Sequence, residues 1–397
     1  MARRLTRLIV LLALTVLAAP RASATDLRDV ITDVTITSWN EKDGLPGTLI
    51  AALAQDRDGY LWVGTRSGLF RFDGVRFLPW DTIGRAPLPD NWIRSLLATR
   101  DGSVWAGLSD DGQIVRLTDG RVTAFRGTDG LGRGPVLSLA EGLDGTIWAG
   151  GEDGLYSFDG TRWRRWGPAL GLPDGGVIAS FCDAAGNTYV TMRAGVFVRR
   201  QGVDRFERTA GFADALGGLA QTADGTVWVT DPTVGYRRLT GTPDDAPPPT
   251  LQGRGLRLVV DRKGSLWIGT GGQGLWRFRA AGGAGAPLER STSLTGLLGD
   301  GIYSLLEDRS GNIWAGTTEG LNRITPRTIE QVIDLGLVRG LQVDPGGRVW
   351  IGTVNKIVTH LPGPSSPRLE VPLAAEARSM AADEHGVWVA AGDGLYR

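Results

Sequence analysis

Apolar and polar residues along the chain form short runs that are separated by turn signals. In the first clear example, apolar runs at residues 49–54, 60–65, 69–72 and 75–80 are separated by Asp-Arg-Asp-Gly, Arg-Ser-Gly and Asp-Gly. Asp-Gly between apolar runs favours a two-residue hairpin, because type I′ turns need residues with positive φ. The pattern therefore predicts four short antiparallel strands in this stretch.

The four-strand unit recurs along the whole chain. An aromatic residue follows the turn glycine by three residues in eight of nine copies, and successive anchors are 36 to 47 residues apart. The anchors are Trp62, Trp105, Trp148, Tyr189, Trp228, Trp267, Trp314, Trp350 and Trp388. Four strands in about forty residues are typical of a β-propeller blade, with the anchor ring packed between sheets. No copy holds ten residues of uninterrupted helical periodicity, which excludes a helical solenoid.

One strand stands apart from this pattern. The apolar run at Val34 to Trp39 precedes the first complete copy, and the seventh copy ends on its third strand near Ile324. Because propellers close by pairing strands from both ends of the ring, we predict that this run completes the seventh sheet. The expected fold is all-β, with a seven-bladed β-propeller over residues 26–325. Residues 326–397 are expected to hold two further blades that begin a second, truncated propeller.

The first 24 residues have a different composition. Arg3, Arg4 and Arg7 precede an apolar run from Leu8 to Ala19, and a small-residue Ala-Ser-Ala triplet ends at Ala24. This order of a charged, an apolar and a small-residue segment is typical of a cleaved secretory signal peptide. The sequence thus predicts export to the periplasm, with residues 1–24 as the signal peptide.

Composition excludes several classes of function. Without its first 24 residues the chain has 39 basic and 43 acidic side chains, which argues against nucleic-acid binding. A single cysteine, Cys182, rules out a disulfide framework and a cysteine zinc site, and we expect it to be buried in the core. Only two histidines are present, at His360 and His385, in the last two copies. We therefore predict no cofactor and no bound metal, and we interpret the aspartate-rich turns as hairpin turns rather than calcium loops.

The repeat resembles a known family. The recurring Asp-x-x-Gly-x-Leu/Ile-Trp-x-Gly-Thr, as at residues 56–65 and 308–317, and the Trp-Asn-Glu-Lys-Asp-Gly-Leu-Pro segment at 39–46 are similar to the two-component-regulator propeller repeat. Copies four and five depart from it, because they lack the Gly-Thr and copy four has Tyr189 in place of tryptophan. The resemblance implies a periplasmic ligand-sensing domain of a bacterial receptor. It also implies a histidine kinase or diguanylate cyclase output, which this chain does not contain.

The expected ligand site is the mouth of the ring, where the loops that enter each innermost strand meet the loops between second and third strands. Aromatic, arginine and acidic residues in these loops suit a hydroxylated or acidic ligand, and Trp92 is the strongest candidate because it lies outside the anchor series. The ten candidates are Trp92, Arg94, Asn91, Arg66, Asp110, Arg133, Glu152, Arg193, Arg254 and Tyr303. No catalytic residue is predicted.

The partners expected on this interpretation are a small-molecule or oligosaccharide ligand and the downstream domains of the full-length receptor. A homodimer is left open, and nucleic acid is not expected. Two alternatives remain: a secreted propeller enzyme, either a lyase or a glycoside-acting enzyme, and a periplasmic scaffold that binds other proteins. Paired carboxylates in the channel would favour the enzyme, and an exposed apolar face would favour the scaffold.

Overall fold

The computed structural model describes residues 30–46, 49–209, 217–231, 235–240, 255–279, 288–327, 337–345, 348–360, 369–383 and 386–397. The predicted signal peptide, Arg254 and His385 lie outside the described residues. Contacts divide the chain into two compact units, Met1–Arg327 and Thr328–Arg397.

The first unit contains seven antiparallel sheets in its described part. The chain begins with β1 (Val34–Trp39) and then forms three sheets of four strands each. Sheet 1 holds β2 (Ile50–Gln55), β3 (Leu61–Thr65), β4 (Leu69–Phe72) and β5 (Phe77–Pro79). Sheet 2 holds β6 (Ile93–Ala98), β7 (Val104–Leu108), β8 (Ile114–Thr118) and β9 (Arg121–Phe125). Sheet 3 holds β10 (Val136–Glu141), β11 (Ile147–Gly151), β12 (Gly154–Phe158) and β13 (Trp163–Trp166).

The next four sheets follow the same order. Sheet 4 holds β14 (Val177–Cys182), β15 (Thr188–Met192), β16 (Gly195–Arg199) and β17 (Phe206–Arg208). Sheet 5 holds β18 (Leu219–Gln221), β19 (Val227–Asp231) and β20 (Gly235–Arg238). Sheet 6 holds β21 (Gly255–Val260), β22 (Leu266–Thr270), β23 (Leu275–Phe278) and β24 (Leu288–Ser291). Sheet 7 holds β25 (Ser304–Glu307), β26 (Ile313–Gly316), β27 (Leu321–Pro326) and β1.

These sheets form a closed circle. The innermost strands contact each other in the order β2, β6, β10, β14, β18, β21 and β25, and β25 in turn contacts β2. The described part of the first unit is therefore a β-propeller whose axis is lined by the innermost strands.

The circle is closed by pairing between the two ends of the unit. β1 pairs antiparallel with β27, with Val34 opposite Pro326 and Trp39 opposite Leu321. This confirms the strand pairing that the sequence predicts. The segment before β1 is also held by sheet 6. Arg277 of β23 and Arg279, just after β23, both form ion pairs with Asp33 and with Glu289 of β24.

The anchor tryptophans pack between neighbouring sheets, as predicted. In the first unit, the six anchor tryptophans are all buried. The Trp314 ring of sheet 7 stacks on Trp39 at 5.4 Å between centroids and meets Phe72 of sheet 1 edge-on at 5.9 Å. Such aromatic contacts contribute to stability beyond the apolar area that they bury.

The aspartate of the repeat fixes both the turn and the ring. The Asp56 carboxylate accepts hydrogen bonds from the backbone N–H groups of Asp58 and Tyr60, both at 3.0 Å, and from the Trp62 indole at 2.7 Å. Asp261 and Asp308 accept the indole N–H of Trp267 and Trp314 in the same way. These contacts support the interpretation of the aspartates as turn residues, and no described group of three His, Cys, Asp or Glu side chains is arranged to hold a metal ion.

Glycine in the Trp-x-Gly-Thr motif allows neighbouring sheets to approach closely. A Cβ atom on Gly64 would lie 2.7 Å from the Ile93 side chain of sheet 2, and one on Gly316 would lie 2.6 Å from Ile50 of sheet 1. In copy five, Thr230 replaces this glycine, and the residue that faces it from the next sheet is Gly255. A Cβ atom on Gly255 would lie 3.2 Å from the Thr230 side chain. The departure from the repeat in copy five is thus an exchange of large and small residues across one interface.

Short helices were not predicted by the sequence pattern. The chain forms one turn of α-helix, α1 (Trp80–Ile83), where a strand to Trp80 was expected. Short 3-10 helices occur at Glu41–Asp43, Gly127–Asp129, Pro168–Leu170 and Ser293–Thr295. Each precedes a Gly-Leu pair, in which the glycine has positive φ and the leucine is buried beneath the loop.

The second unit has its own pair of antiparallel sheets in its described part. One sheet holds β28 (Val338–Val343), β29 (Val349–Thr353), β30 (Lys356–His360) and β31 (Leu369–Pro372). The other holds β32 (Ala377–Asp383), β33 (Gly386–Ala391) and β34 (Gly394–Tyr396). That these sheets begin a second propeller stays a prediction.

Candidate functional site

The two predicted classes of loop meet at one end of the first unit. The Ser109 N–H, in a loop between second and third strands, donates to the Trp92 carbonyl at 3.0 Å. The Asp110 N–H donates to the Asp90 carboxylate at 3.1 Å, and the Glu152 N–H donates to the Pro135 carbonyl at 3.3 Å. We call this end of the circle of sheets the mouth.

Trp92 holds two arginines at the mouth. The guanidinium carbons of Arg66 and Arg94 each lie 4.8 Å from the centre of its ring. The Trp92 backbone N–H is fixed by the Asp90 carboxylate at 3.1 Å. Its indole N–H is buried and has no hydrogen-bond partner within the described part of the chain. The ring therefore serves as a platform for two cations, since a cation over an aromatic face is attracted to it.

Arg94 is partly buried at the mouth. Burial lowers its pKa, and the negative charge of Glu152 offsets this effect in part. Arg94 occupies the β-bulge between Ile93 and Ser95, where one residue of the innermost strand has no partner on β7. Bulges redirect a side chain relative to its strand, so Arg94 can reach both the indole and the axis of the ring.

The other candidates are distributed around the mouth. Asn91, Arg66, Asp110, Arg133, Glu152 and Arg193 are exposed, and Tyr303 is half-buried. Ring contacts bring Arg66 of sheet 1 and Arg94 of sheet 2 to Trp92, and the negative charge of Glu152 in sheet 3 acts on Arg94. No described contact brings Arg133, Arg193 or Tyr303 into this cluster, and their roles in binding stay predictions.

The axis of the propeller contains a cavity of about 160 Å³. It is lined by the innermost strands of several sheets and by Gly218, which directly precedes β18. Its described lining consists of alanine, serine, leucine, isoleucine and glycine residues and two charged groups, Arg94 of sheet 2 and Arg257 of sheet 6. We call this space the channel.

Arg257 was not among the residues expected from the sequence, although a signal for it existed. Ten residues before each anchor aromatic, the first seven copies have Ala52, Ser95, Ser138, Ala179, Gly218, Arg257 and Ser304. Six of these positions have small side chains and one has an arginine. The comparison between copies therefore marks Arg257 as an exception. The functional meaning of this exception is evident only once these positions are known to face the channel.

Among its described lining residues, the channel has none that are suited to general acid–base catalysis. No carboxylate or histidine lines it within the described part of the chain. Tyr156 lies near the mouth, where burial and a hydrogen bond to Asp153 raise the pKa of its phenol to about 12, so it stays neutral at physiological pH. These observations lend no support to the enzyme alternative at this site.

Comparison with known proteins identifies the repeat. The family model described as "Two component regulator propeller" matches residues 44–67 and 296–319. These segments lie in sheets 1 and 7 and in the loops that lead into them. These two segments match the two-component regulator propeller repeat. No curated protein sequence matches it.

Solved structures share the propeller fold at low sequence identity. The extracellular domain assigned to the hybrid two-component system BT4673 of B. thetaiotaomicron is 17% identical with a TM-score of 0.62, over 92% of this chain and 52% of that one. The corresponding domain of BT3049 is 16% identical with a TM-score of 0.64, over 92% of this chain and 53% of that one. This chain thus spans about half the length of these two domains.

An enzyme also shares the propeller fold. Streptogramin B lyase is 15% identical with a TM-score of 0.60, over 74% of this chain and 98% of the lyase. At such identities the likeness shows the fold alone. Within its described residues, the chain has no helix long and apolar enough to cross a membrane.

Proposed function

We propose that the chain is the ligand-binding propeller of an exported bacterial signalling receptor and that its ligand binds at the mouth. The observation that carries this proposal is the cluster of Arg66, Trp92 and Arg94 beside Glu152. It combines aromatic, cationic and acidic groups that converge at one end of a preformed ring. Convergent polar groups in a concave site are the usual mark of a binding site. Two-component regulator propeller repeats and the similar extracellular domains support the sensor role.

The signal would be carried by differential affinity. A ligand that binds one arrangement of the receptor more tightly than another shifts the population toward that arrangement. The output domain, a histidine kinase or a diguanylate cyclase, would be joined to this chain in the complete receptor. Periplasmic localisation belongs to the same proposal and rests on the signal-peptide pattern of residues 1–24.

The proposal assigns binding rather than catalysis to the mouth. A second lyase with a similar fold, virginiamycin B lyase from Staphylococcus aureus, is described as catalytically inactive when one histidine is replaced by alanine. In the present chain both histidines, His360 and His385, follow residue 327 and so lie outside the first unit. The first unit therefore contains no histidine that could take such a part.

The test is a ligand screen on the exported chain. Thermal unfolding would be measured with neutral and acidic oligosaccharides and small metabolites, and each binder would then be recovered and analysed by mass spectrometry. We expect a binder that raises the midpoint and is recovered unchanged, and we expect Arg66→Ala to weaken its effect. Arg121→Ala is the matched control, because Arg121 is exposed beside the turn between third and fourth strands, away from the mouth. Recovery of a cleaved or isomerised compound would contradict the proposal, as would an equal effect on Arg66→Ala.

A further inference from the structure

Within the described part of the chain, the channel holds two arginines that form no ion pair. Arg94 and Arg257 both line the cavity and come from sheets 2 and 6, which are not neighbours in the circle. Within the described part of the chain, no carboxylate lies within 4.0 Å of either guanidinium, whereas Arg277 of sheet 6 pairs with two carboxylates. The one hydrogen bond described for the Arg257 side chain is from Nη1 to the neighbouring Leu256 carbonyl at 3.0 Å.

The two guanidiniums also repel each other. Burial lowers the pKa of Arg257, and the positive charge of Arg94 lowers it further. Two like charges that line one cavity are unfavourable in the free protein, because like charges repel and partly buried charges normally need a partner. Groups that are perturbed in this way concentrate at functional sites.

The rest of the channel wall increases the effect of these charges. The other described lining side chains are uncharged, and low-dielectric walls focus the field of the charged groups. Several serine hydroxyls are already used between sheets: Ser95 donates to the Val136 carbonyl at 2.9 Å, and Ser304 donates to the Ile50 carbonyl at 3.0 Å. The cavity of about 160 Å³ is well above the roughly 10–15 Å³ that one water molecule requires.

We propose that the channel is an oxyanion site in which Arg94 and Arg257 bind one carboxylate, sulfate or phosphate group, either free or at the end of a larger acidic ligand. This inference deepens the proposed function, on which it rests, by naming the chemical class of the ligand. Guanidinium groups suit oxyanions because their donors form a planar fork that matches two oxygens. Trp92 contributes by holding Arg94 at the mouth end of the site, and Glu152 disfavours anions that approach outside the channel.

The experiment uses isothermal titration calorimetry on the exported chain with three probes: inorganic sulfate, galacturonate and the methyl ester of galacturonate. The ester has the same ring without the charge, and ionic strength is held constant with sodium chloride. We expect saturable binding of sulfate, galacturonate or both, and at least tenfold weaker binding of the ester, as charge-assisted hydrogen bonds to the ligand are lost. Binding of sulfate alone would identify a free anion as the ligand, and tighter binding of galacturonate would identify an acidic sugar.

The variants test whether the two arginines form the site. Arg257→Gln and Arg94→Gln should each weaken anion binding at least tenfold, Arg257→Lys should weaken it less, and Arg121→Gln should leave it unchanged. In anion-free buffer, Arg257→Gln should also raise the midpoint of thermal unfolding, because it removes an unpaired, repelled charge. An arginine with a purely structural role would instead lower the midpoint when replaced.

Three results would overturn the proposal: no saturable binding of either anion, equal binding of the acid and its ester, or unchanged binding by Arg257→Gln. If Arg257→Gln does not fold, Arg94→Gln decides in its place. The proposed function can fail separately from the channel site. If the anion binds but does not change the output of the receptor, the channel site is confirmed and the sensor role is refuted.

Discussion

At the scale of single residues, the aspartate of the repeat has a structural role, although aspartate-rich turns can resemble calcium-binding loops. Asp56 is buried beside its turn and uses both carboxylate oxygens, one for two backbone N–H groups and one for the Trp62 indole. Asp58, two residues later in the same turn, is exposed and accepts none of these bonds. The two aspartates of this turn therefore have different structural roles, which their positions in the sequence alone do not reveal.

We expect Asp56→Ala to destabilise the first unit by about 2–4 kcal/mol, because it leaves buried donors without an acceptor. Asp58→Ala should change the stability by less than about 0.5 kcal/mol, as is usual for exposed positions. Urea unfolding at neutral pH, followed by tryptophan fluorescence, measures both values. Similar losses of stability for the two variants would show that the Asp56 carboxylate acts through the turn conformation alone and not through its hydrogen bonds to buried donors.

Trp92 provides a second test at this scale. Its ring is half-buried, is not part of any described core cluster and lies beneath two guanidiniums. We expect Trp92→Ala to lower the stability much less than Trp62→Ala, which removes a buried anchor and should cost about 3–5 kcal/mol. Thermal unfolding of both variants gives the comparison. A loss at Trp92 as large as that at Trp62 would assign the residue to the core and remove it from the ligand site.

The candidate site could be anticipated from sequence only in part. The topology of a four-strand blade places its two classes of mouth loop at one end, and this reasoning led to Arg66, Trp92, Arg94 and Glu152. Trp92 was a candidate because it lies outside the anchor series, and the structure adds that Arg66 and Arg94 lie over its ring. Arg257 was missed because a charged residue inside an apolar strand gives no sign of facing a channel until the circle is known.

At the scale of elements, neighbouring sheets fit together because a small residue on one sheet faces a larger residue on the next. Strand positions followed from the turn signals, because Asp-Gly hairpins and apolar runs are local features. The fit between sheets depends on residues that are far apart in sequence, such as Gly64 against Ile93 and Thr230 against Gly255. Local patterns contain no information on such pairs, so the reason for the missing glycine in copy five became evident only from the structure.

A double-mutant cycle tests this fit at the interface of sheets 1 and 2. Gly64→Ala should cost about 1–3 kcal/mol, since the new Cβ would lie 2.7 Å from Ile93. In the Ile93→Ala background the same change should cost clearly less, which gives a coupling energy measurable by urea unfolding. Gly167→Ala is the control, because nothing lies within 4 Å of a Cβ at that position. Additive losses at Gly64 and Ile93 would contradict the proposed steric match.

At the scale of the whole molecule, a small group of charges lies next to β1, the strand that closes the circle. Burial raises the pKa of Asp33, but the hydrogen bond and charge of Arg277, with the charge of Arg279, outweigh it and hold the pKa below its ordinary value. Arg277 itself is buried and donates to Glu289 at 2.7 Å. The ion pairs join the segment before β1 to sheet 6, while β1 itself pairs with sheet 7.

The sign of the resulting pH effect follows from the direction of the shift. A carboxylate with a depressed pKa in the folded state stabilises the fold above its unfolded pKa of about 4, and this contribution is lost as the pH falls through the folded value. We therefore expect Asp33→Asn to lose stability at pH 7 and to approach the wild type below about pH 4. Urea unfolding at several pH values checks this. Glu207→Gln, at an exposed acid in β17, should show no such convergence.

The second unit should be the less stable part of the chain. In its described residues several apolar side chains are exposed, among them Leu341 at 65% and Leu395 at 67%. Repeat arrays gain much of their stability from contacts between neighbouring repeats, and this unit has two described sheets against seven in the first. Limited proteolysis with trypsin should remove residues 328–397 first and leave the first unit intact. Equal resistance of both units would indicate one cooperative assembly.

The pairing of β1 with β27 also sets the order in which the ring can form. Ser38 and Asn322, which are hydrogen-bonded across this pair, are 284 residues apart in the chain, whereas the other strands pair with near neighbours in sequence. Ribosomes synthesise β1 first and its partner after six other sheets, so the first strand has to wait unpaired during most of translation. Contacts of such long range form late and slow the folding of a chain. Substitutions in β1 should consequently speed the opening of the ring while leaving the rate of its assembly nearly unchanged.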